Sequence, residues 1–248
     1  MSAPVRPGGR PAPRLVLASA SPARARILEA AGIGFTVMVS EVDEDAVAEA
    51  HPTAGPAEIA LLLAHAKAEE VAARPEAAGA LVLGCDSVFE LDGTAYGKPW
   101  EPAVAAERWR RQSGRTGQLH TGHSLIDAGH HGTVRGTGPA GVGTTGARTA
   151  GAGAGGPRPD GGGAPSATAL STASVTFAEV TDAEIAAYVG SGEPLQCAGA
   201  FTIDGRGAAF VTAVHGDPNA VIGLSVATLR GLLHQLGWSV TDLWGSYN

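Results

Sequence analysis

Apolar and polar positions along this 248-residue chain alternate between strand-like and helix-like patterns. Short apolar or alternating runs predict strands at residues 15–18, 35–39, 80–91, 118–128, 174–180, 200–203 and 208–214. Helical apolar spacing, with Ser, Thr or Pro near the start, predicts helices at residues 22–31, 56–74, 102–112, 182–189 and 225–236. Strands that alternate with helices, together with a hairpin signal at Asp92-Gly93, predict an α/β fold with a mixed sheet flanked by helices.

Two stretches break this pattern. Residues 136–169 are almost entirely Gly, Ala, Pro and Thr without periodicity, so they cannot bury enough apolar surface to offset the entropy of ordering. A strand pattern resumes at residue 174, which indicates a disordered insertion within a single domain at residues 14–248 rather than a domain boundary. Residues 1–13 are interpreted as a disordered tail, because they contain Arg, Gly and Pro but lack the apolar segment of a signal peptide.

Charge and cysteine content narrow the class of protein. The formal net charge of −7 disfavours a nucleic-acid-binding surface, and no apolar run reaches the length of a membrane span. Cys85 and Cys197 are the only cysteines and form no C-x-x-C motif, so neither a disulfide framework nor a structural zinc site is indicated. These features predict a cytoplasmic protein that binds neither nucleic acid nor a membrane.

The turn between the first strand and the first helix has the features of a phosphate site. Ser19 and Ser21 supply hydroxyls, Ser21-Pro22 is typical of a helix N-cap followed by the first helical residue, and Arg24 follows within the first turn. The dipole of the helix and the guanidinium would both favour an anion at this point. An ordinary capped helix after a strand accounts for the same residues equally well.

Two acidic positions are candidates for metal binding and for catalysis. Asp86 ends an apolar run, where a carboxylate is costly unless it binds a metal or a cationic partner. The carboxyl end of a buried strand is also where open α/β sheets bind ligands. The alternative is an aspartate that only bonds its own turn. Glu44, in an acidic cluster after the second predicted strand, is a second candidate, although a solvated acidic loop is the simpler interpretation.

Two lysines complete the set of candidate residues. Lys98 lies in a restricted Gly-Lys-Pro turn, and Lys67 lies close to the apolar side of its predicted helix, where a lysine stem more often extends toward solvent. Cationic and hydroxyl groups for phosphates, with carboxylates for Mg²⁺ or Mn²⁺, are what phosphoryl transfer to water requires. The chain has neither a P-loop motif nor a G-x-S-x-G elbow, so it is not a P-loop enzyme and a serine hydrolase is disfavoured.

Several short motifs, in the same order, resemble those of the Maf family of nucleoside triphosphate pyrophosphatases. They are residues 17–24 (LASASPAR), 41–44 (EVDE), 64–67 (AHAK), 84–88 (GCDSV), 97–99 (GKP), 113–116 (SGRT), 196–201 (QCAGAF) and 216–224 (GDPNAVIGL). The resemblance covers nearly all of the chain apart from the glycine-rich stretch. It implies an elongated α/β fold with two lobes around a central cleft.

The resemblance also implies an activity and its residues. The activity is the hydrolysis of nucleoside triphosphates, including non-standard or modified ones, to the nucleoside monophosphate and diphosphate (pyrophosphate). The reaction uses a divalent cation. The family's catalytic aspartate, the proton acceptor, matches Asp86, and its other polar site positions match Ser19, Arg24, Glu44, Lys67 and Lys98. The metal would bind Glu44 and Asp86. The family is cytoplasmic and often homodimeric, and it is linked to the arrest of cell division.

The chain departs from the family pattern at positions that accompany base selectivity. Ala23, Ser87 and Asp204 stand where the branch for thymidine and uridine triphosphates has Arg, Thr and Gln. Ala23 and Ser87 also differ from the branch that acts on 7-methyl-GTP. Ser87 and Asp204 are therefore expected to contact the substrate, with the preferred base left open. Two alternatives to pyrophosphate release are cleavage of the β–γ bond and a nucleotide-binding regulator of septum formation without significant turnover.

Overall fold

Parallel and antiparallel strands share one seven-stranded sheet in the described part of the chain. The computed structural model describes residues 12–129 and 164–244. The strands are β1 (Arg14–Leu17), β2 (Phe35–Val37), β3 (Ala80–Leu91), β4 (Thr94–Tyr96), β5 (Thr116–Asp127), β6 (Ser166–Phe177) and β7 (Val211–His215). Their order is β2-β1-β3-β5-β6-β7, and β4 pairs with the end of β3. The strands β1, β2 and β3 are parallel, and the other pairings are antiparallel, which confirms the predicted mixed sheet.

Helices cover the sheet, as the sequence pattern predicts. They are α1 (Pro22–Ala30), α2 (Glu44–Glu49), α3 (Pro56–Ala72), α4 (Pro102–Gln112), α5 (Asp182–Gly190), α6 (Pro218–Ile222) and α7 (Val226–Gln235). The predicted capping box is confirmed at Thr181 and Glu184. Ser225, predicted as the first residue of the last helix, is instead its N-cap, because its hydroxyl accepts from the Thr228 N–H. Among the described helices, none combines the length and the apolar character needed to cross a bilayer.

Three strand predictions are wrong in their extent or existence. β6 begins at Ser166, so residues 166–169 are not part of a disordered insertion: they pair with residues 123–126 of the long strand β5. Residues 200–203 form no strand, because Gly199 and Ala200 are left-handed (φ 71° and 61°) and turn the chain back. The last strand begins at Val211 rather than 208, after a 3₁₀ turn at Arg206–Phe210. Residues 136–163 of the predicted insertion and residues 1–11 of the predicted tail lie outside the described residues.

The long strand β3 passes from one apolar core to another. Its first half, through Leu83 and Cys85, packs in a core with α1 and α7. Its second half, at Phe89 and Leu91, packs in a separate core with Trp109 of α4 and other aromatic side chains. Asp86 and Ser87 lie on β3 between the residues of these two cores.

Helix α3 lies unusually close to the sheet. A Cβ atom on Gly84 of β3 would be 2.1 Å from the carbonyl oxygen of Ala64, and one on Gly122 of β5 would be 2.2 Å from that of Ala60. Glycine at both positions therefore lets the backbone of α3 contact the strands directly. This close contact brings the buried face of α3, which includes Lys67, onto β3 beside Asp86.

Candidate active site

The candidate site lies along β3 where its parallel neighbour β1 has ended. β1 pairs with residues 80–83 and stops at Leu17, whereas β3 continues to Leu91. Asp86 is therefore within the strand rather than at its end, which corrects the sequence prediction. It still lies beyond the carboxyl end of β1, where a parallel sheet leaves room for a ligand. Asp86 and its neighbour Ser87 point to opposite faces of the sheet.

Lys67 joins the two predicted acidic residues. Its Nζ donates to Oδ1 of Asp86 at 2.5 Å and to Oε1 of Glu44 at 2.6 Å. Lys67 is only 7% exposed and Asp86 only 8%, so their ion pair is shielded from water, whereas the Glu44 side chain is about half-exposed. A buried ammonium requires such partners, since an unpaired charge in this environment is strongly unfavourable. The interpretation from the sequence that the stem of Lys67 extends toward solvent is therefore wrong.

Glu44 is part of this charged group rather than of a solvated loop. It is the first residue of α2, and Asp43 before it caps the helix by accepting from the Ala46 N–H. Burial acts to raise the pKa of Glu44, but the hydrogen bond and charge of Lys67, with the charges of Lys98 and Arg24, outweigh it. The pKa of Glu44 is consequently below its ordinary value, and the carboxylate is ionised at neutral pH.

Arg24 forms a second polar group on the other face of β3. Its guanidinium donates to Oγ of Ser19 at 2.8 Å, to the Gly223 carbonyl at 2.8 Å and to Oγ of Ser87 at 3.3 Å. Arg24 and Ser19 are both buried. Ser19 also accepts from the Ser21 N–H at 3.2 Å, so the predicted serine turn and arginine do converge. Ser21 occupies the N-cap position, but its side chain makes no capping bond.

A chain of hydroxyl groups extends this second group into the sheet. Thr121 Oγ1 donates its hydroxyl proton to the Ala220 carbonyl at 2.8 Å, so it can only accept from Ser87. Ser87 Oγ therefore donates to Thr121 Oγ1 at 2.9 Å and accepts from Arg24. Sequence reasoning missed Thr121 and the Gly223 carbonyl. Gly223 lies within the quoted motif at residues 216–224, and its φ of 130° favours glycine. No signal in a single sequence pairs these positions with Arg24.

Lys98 approaches the first group from an exposed loop after β4. Its charge contributes to the lowered pKa of Glu44. The loop is held at Gly97, whose carbonyl accepts from Arg108 of α4, and at Trp100, whose N–H donates to the Leu195 carbonyl at 3.0 Å. Lys98 Nζ lies 5.4 Å above the Trp100 ring. The structure thus brings Lys98 close to the site without a direct hydrogen bond to it among the described residues.

Asp204 lies apart from both groups. Its carboxylate accepts from Arg26 of α1 at 3.2 Å, and both residues line a cavity of about 460 Å³ together with Ala23 and Asn219. Ala23 and Asp204 are two of the three positions at which the chain departs from the family pattern. The third, Ser87, is hydrogen-bonded to Arg24 instead. The sequence predicts Asp204 as a substrate-contacting residue, and the structure places it at this cavity rather than beside Lys67 or Arg24.

The carboxylates are suited to a divalent cation that is shared with a phosphate chain. Two carboxylates around one ammonium leave an excess negative charge at a largely buried point. Mg²⁺ binds through one or two carboxylates, completed by phosphate oxygens and waters. In residues 12–129 and 164–244, no three His, Cys, Asp or Glu side chains are grouped so as to hold a metal by themselves. Glu44 and Asp86 therefore fit a cation that the substrate helps to bind.

The site as a whole brings together a group of carboxylates and a group of cationic side chains. The carboxylates of Asp86 and Glu44 can bind a cation and accept a proton, while Arg24 and the nearby Lys98 can bind anionic oxygens. Such a division suits the hydrolysis of a phosphoanhydride, in which the leaving group carries the negative charge.

The chain is similar to known proteins over nearly its whole length. The sequence model of the family described as "Maf-like protein" matches residues 14–145 and 153–236. A protein of Streptomyces coelicolor named nucleoside triphosphate pyrophosphatase is 48% identical over 235 residues, which is 95% of this chain and 96% of that protein. Relatives of the same name from Leifsonia xyli and Synechocystis are 47% and 43% identical, over 93% and 94% of this chain and 96% and 99% of their own lengths. The chain therefore belongs to the Maf-like protein family.

Proposed function

We propose that this chain is a nucleoside triphosphate pyrophosphatase, which hydrolyses the α–β bond of its substrate to release the monophosphate and pyrophosphate. The observation that supports it best is the buried Lys67, which fixes the carboxylates of Asp86 and Glu44 where the charge of Arg24 also acts on Glu44. The names of the relatives, which match this chain over nearly its whole length, support the same activity.

In the proposed mechanism, Asp86 is the proton acceptor for the attacking water. Lys67 holds one carboxylate oxygen, so the side chain has a fixed orientation and its other oxygen is left to accept a proton. Arg24, already oriented by Ser19 and the Gly223 carbonyl, donates to phosphate oxygens with little loss of side-chain entropy. Lys98 stabilises the negative charge that develops on the departing pyrophosphate.

Glu44 and Asp86 would hold the divalent cation, Mg²⁺ or Mn²⁺. When bound, the cation neutralises phosphate charge and polarises the bond that breaks. Lys67 is hydrogen-bonded to both of these carboxylates and keeps them close together. We therefore propose that turnover requires the cation and that Glu44→Gln raises the concentration of Mg²⁺ needed for half-maximal rate.

Base selectivity is proposed to depend on Ser87 and Asp204, in a surrounding that differs from both known branches of the family pattern. Non-standard or modified nucleoside triphosphates are candidate substrates for this reason. A panel of natural and modified triphosphates, scored as kcat/KM from pyrophosphate release, identifies the preferred base. The resemblance also supports a cytoplasmic homodimer, and light scattering of the purified protein tests the dimer.

The decisive experiment identifies the products and uses Asp86→Asn as its control. We expect pyrophosphate and monophosphate from the wild type, and a loss of at least ~10²-fold in kcat for Asp86→Asn with an unchanged circular dichroism spectrum. Orthophosphate and the nucleoside diphosphate as products would instead indicate cleavage of the β–γ bond. Nucleotide binding without turnover would favour the septum regulator, and Asp86→Asn turnover within a few-fold of wild type would contradict the role of Asp86.

A further inference from the structure

Trp100 is an exposed aromatic residue in a backbone conformation that disfavours it. Its relative exposure is 62%, the highest among the exposed large apolar residues of the described chain. Its φ is +60°, in the left-handed region, where residues with a Cβ atom are strained. Neither burial nor backbone preference explains a tryptophan at this position, so its contact with another group is the remaining candidate reason.

That contact is with Lys98. The ammonium lies 5.4 Å from the centre of the indole ring, within the range of a cation–π interaction. The buried Pro99 separates the two residues and limits the backbone between them. The loop is also fixed on both sides of Lys98, by the bond from Arg108 to the Gly97 carbonyl and by the bond from the Trp100 N–H to Leu195. The backbone that carries the two side chains is therefore held on both sides of their contact.

The left-handed conformation of Trp100 is part of this arrangement. It turns the chain so that the N–H bonds to Leu195 while the indole returns toward the side chain two positions earlier. A glycine would adopt the same backbone at no steric cost but would leave Lys98 without a support. A lysine has a long flexible stem, and ordering it on substrate binding costs free energy that a preformed contact reduces.

We propose that Trp100 is a positioning residue, whose indole face holds the Lys98 ammonium ready for the pyrophosphate portion of the substrate. This inference rests on the proposed role of Lys98 in the reaction. Because the contact orders Lys98 before binding, its loss acts mainly on KM. The indole ring does not need to touch the substrate.

Two variants of Trp100 separate positioning from a structural role. We expect Trp100→Gly to raise KM about two- to fivefold, the size of an exposed cation–π contact, with kcat within twofold of wild type. Its melting temperature should stay level or rise, because glycine relieves the backbone strain. Trp100→Phe keeps an aromatic face and should restore KM. A melting temperature that falls with the rise in KM, or a KM that Phe does not restore, would overturn the proposal.

Inhibition by inorganic pyrophosphate distinguishes this role from stacking of a nucleobase on the indole. Pyrophosphate has no base, so we expect Trp100→Gly to weaken its inhibition constant by the same two- to fivefold factor. The same substitution in a Lys98→Ala background should have no further effect, since the two residues act through one contact. An unchanged inhibition constant, or equal effects in both backgrounds, would overturn the proposal.

The proposed function and this inference fail in different ways. Lys98→Ala should by itself reduce kcat/KM and weaken inhibition by pyrophosphate. If it does neither, the role assigned to Lys98 is wrong and the positioning role of Trp100 is wrong with it. Release of pyrophosphate and its dependence on Asp86 are measured independently of both residues.

Discussion

Arg24 and Arg26 lie two positions apart on α1 in opposite surroundings. Arg24 is buried and bonded to Ser19, Ser87 and the Gly223 carbonyl, whereas the Arg26 side chain is 62% exposed and bonded to Asp204. A buried guanidinium with fixed partners can bind a phosphate with directed hydrogen bonds. An exposed ion pair is screened by water and contributes little by itself.

We therefore expect Arg24→Ala to lower kcat/KM for triphosphates by about 10- to 100-fold, since charge-assisted contacts of this kind contribute ~1.5–3 kcal/mol. Arg26→Ala is the matched control and should change kcat/KM by less than about threefold. Steady-state kinetics with both variants, after circular dichroism has confirmed their folds, provides the measurement. Equal losses in the two variants would mean that the phosphate lies against the Arg26 face of α1 instead.

His123 is fully buried, and the hydrogen bonds of its two ring nitrogens define its tautomer. Nε2 accepts from the Ser225 N–H at 2.8 Å, so Nδ1 carries the proton and donates to the Thr121 carbonyl at 3.1 Å. Burial, followed by the charge of Arg24, lowers the pKa of His123 to about 4. The neutral ring thus links β5 to the N-terminus of α7, and protonation would break the bond to Ser225.

The pKa of His123 predicts how stability depends on pH. The unfolded chain binds a proton near pH 6.5 and the folded chain only near pH 4, so the free energy of unfolding falls as pH drops from 6.5 to 4. At pH 5 the titration of His123 should lower the free energy of unfolding by about 2 kcal/mol relative to pH 7.5. His123→Gln cannot titrate and should lose less stability over the same range in urea unfolding. The exposed His215→Gln is the control, and a wild-type pH dependence in both variants would contradict the assignment.

At the scale of elements, the contact between α3 and the sheet determines where Lys67 lies. Gly84 faces the backbone of α3 between Ala64 and Ala68, on either side of Lys67 in the sequence. Because the nearest atoms belong to the helix backbone, a methyl group at Gly84 can be accommodated only if α3 shifts. Such a shift would change the distance between Lys67 Nζ and Asp86.

We expect Gly84→Ala to destabilise the fold by about 1–3 kcal/mol or more and to lower kcat as well. Gly231→Ala is the matched control, because it is also a Gly→Ala change but has no atom within 4 Å of the added Cβ and lies within α7. It should stabilise the protein by roughly 0.5–1 kcal/mol and leave kcat unchanged. Unfolding curves and kinetics of the two variants test the pair. An active and stable Gly84→Ala protein would show that α3 does not depend on this contact.

Periodic patterns predicted most elements, and they failed where distant residues decide the backbone. The bounds of β3 and α4 were predicted correctly, because a long apolar run and a Pro-initiated amphipathic helix are local signals. No local signal marks the turn at Gly199 and Ala200, which is fixed by Phe89 packed against Gly199 and by the Trp109 indole N–H bonded to the Ala200 carbonyl. The start of β7 was missed for the same reason, since Glu193 holds the backbone N–H groups of residues 206 and 207 in a 3₁₀ turn.

For the candidate site, too, individual residues could be predicted from the sequence but the contacts between them could not. Residue types and motif order were enough to select Asp86, Glu44, Lys67 and Arg24. Their pairing was not predictable, because a single sequence does not show that α3 meets β3 at Gly84 or that Arg24 crosses to Gly223. The ion pair between Asp204 and Arg26 was not predictable for the same reason, because the two residues are far apart in the sequence.

At the scale of the whole molecule, β3, β5 and β6 each run through both cores, and β3 and β5 form the central pair of this frame. They pair over ten residues, from Leu81 with Asp127 to Glu90 with Gln118, and β6 extends the same ladder beyond β5. Site residues come from both sides of this frame: α1 and α3 pack near its first half, and the loop with Lys98 follows β4 at its second half. The relative position of Asp86 and Lys98 therefore depends on the continuity of β3.

The connection between β5 and β6 provides the last prediction. Its described ends are adjacent, since Ile126 pairs with Ser166 and the Asp127 N–H donates to the Pro165 carbonyl at 2.8 Å. We expect replacement of residues 136–163 by a short Gly/Ser loop to leave kcat/KM unchanged. The free energy of unfolding should stay level or rise by about 1 kcal/mol, because a shorter loop costs less entropy to close.

The matched variant extends the same replacement to residue 169, the boundary that composition alone suggested. It removes four residues that pair with β5, among them the buried Ala167, so it should lower the free energy of unfolding where the shorter replacement does not. Urea unfolding and steady-state kinetics of both variants provide the measurement. A raised KM in the shorter replacement, with its fold intact, would mean that residues 136–163 contact the substrate, and they could then no longer be regarded as a connection only.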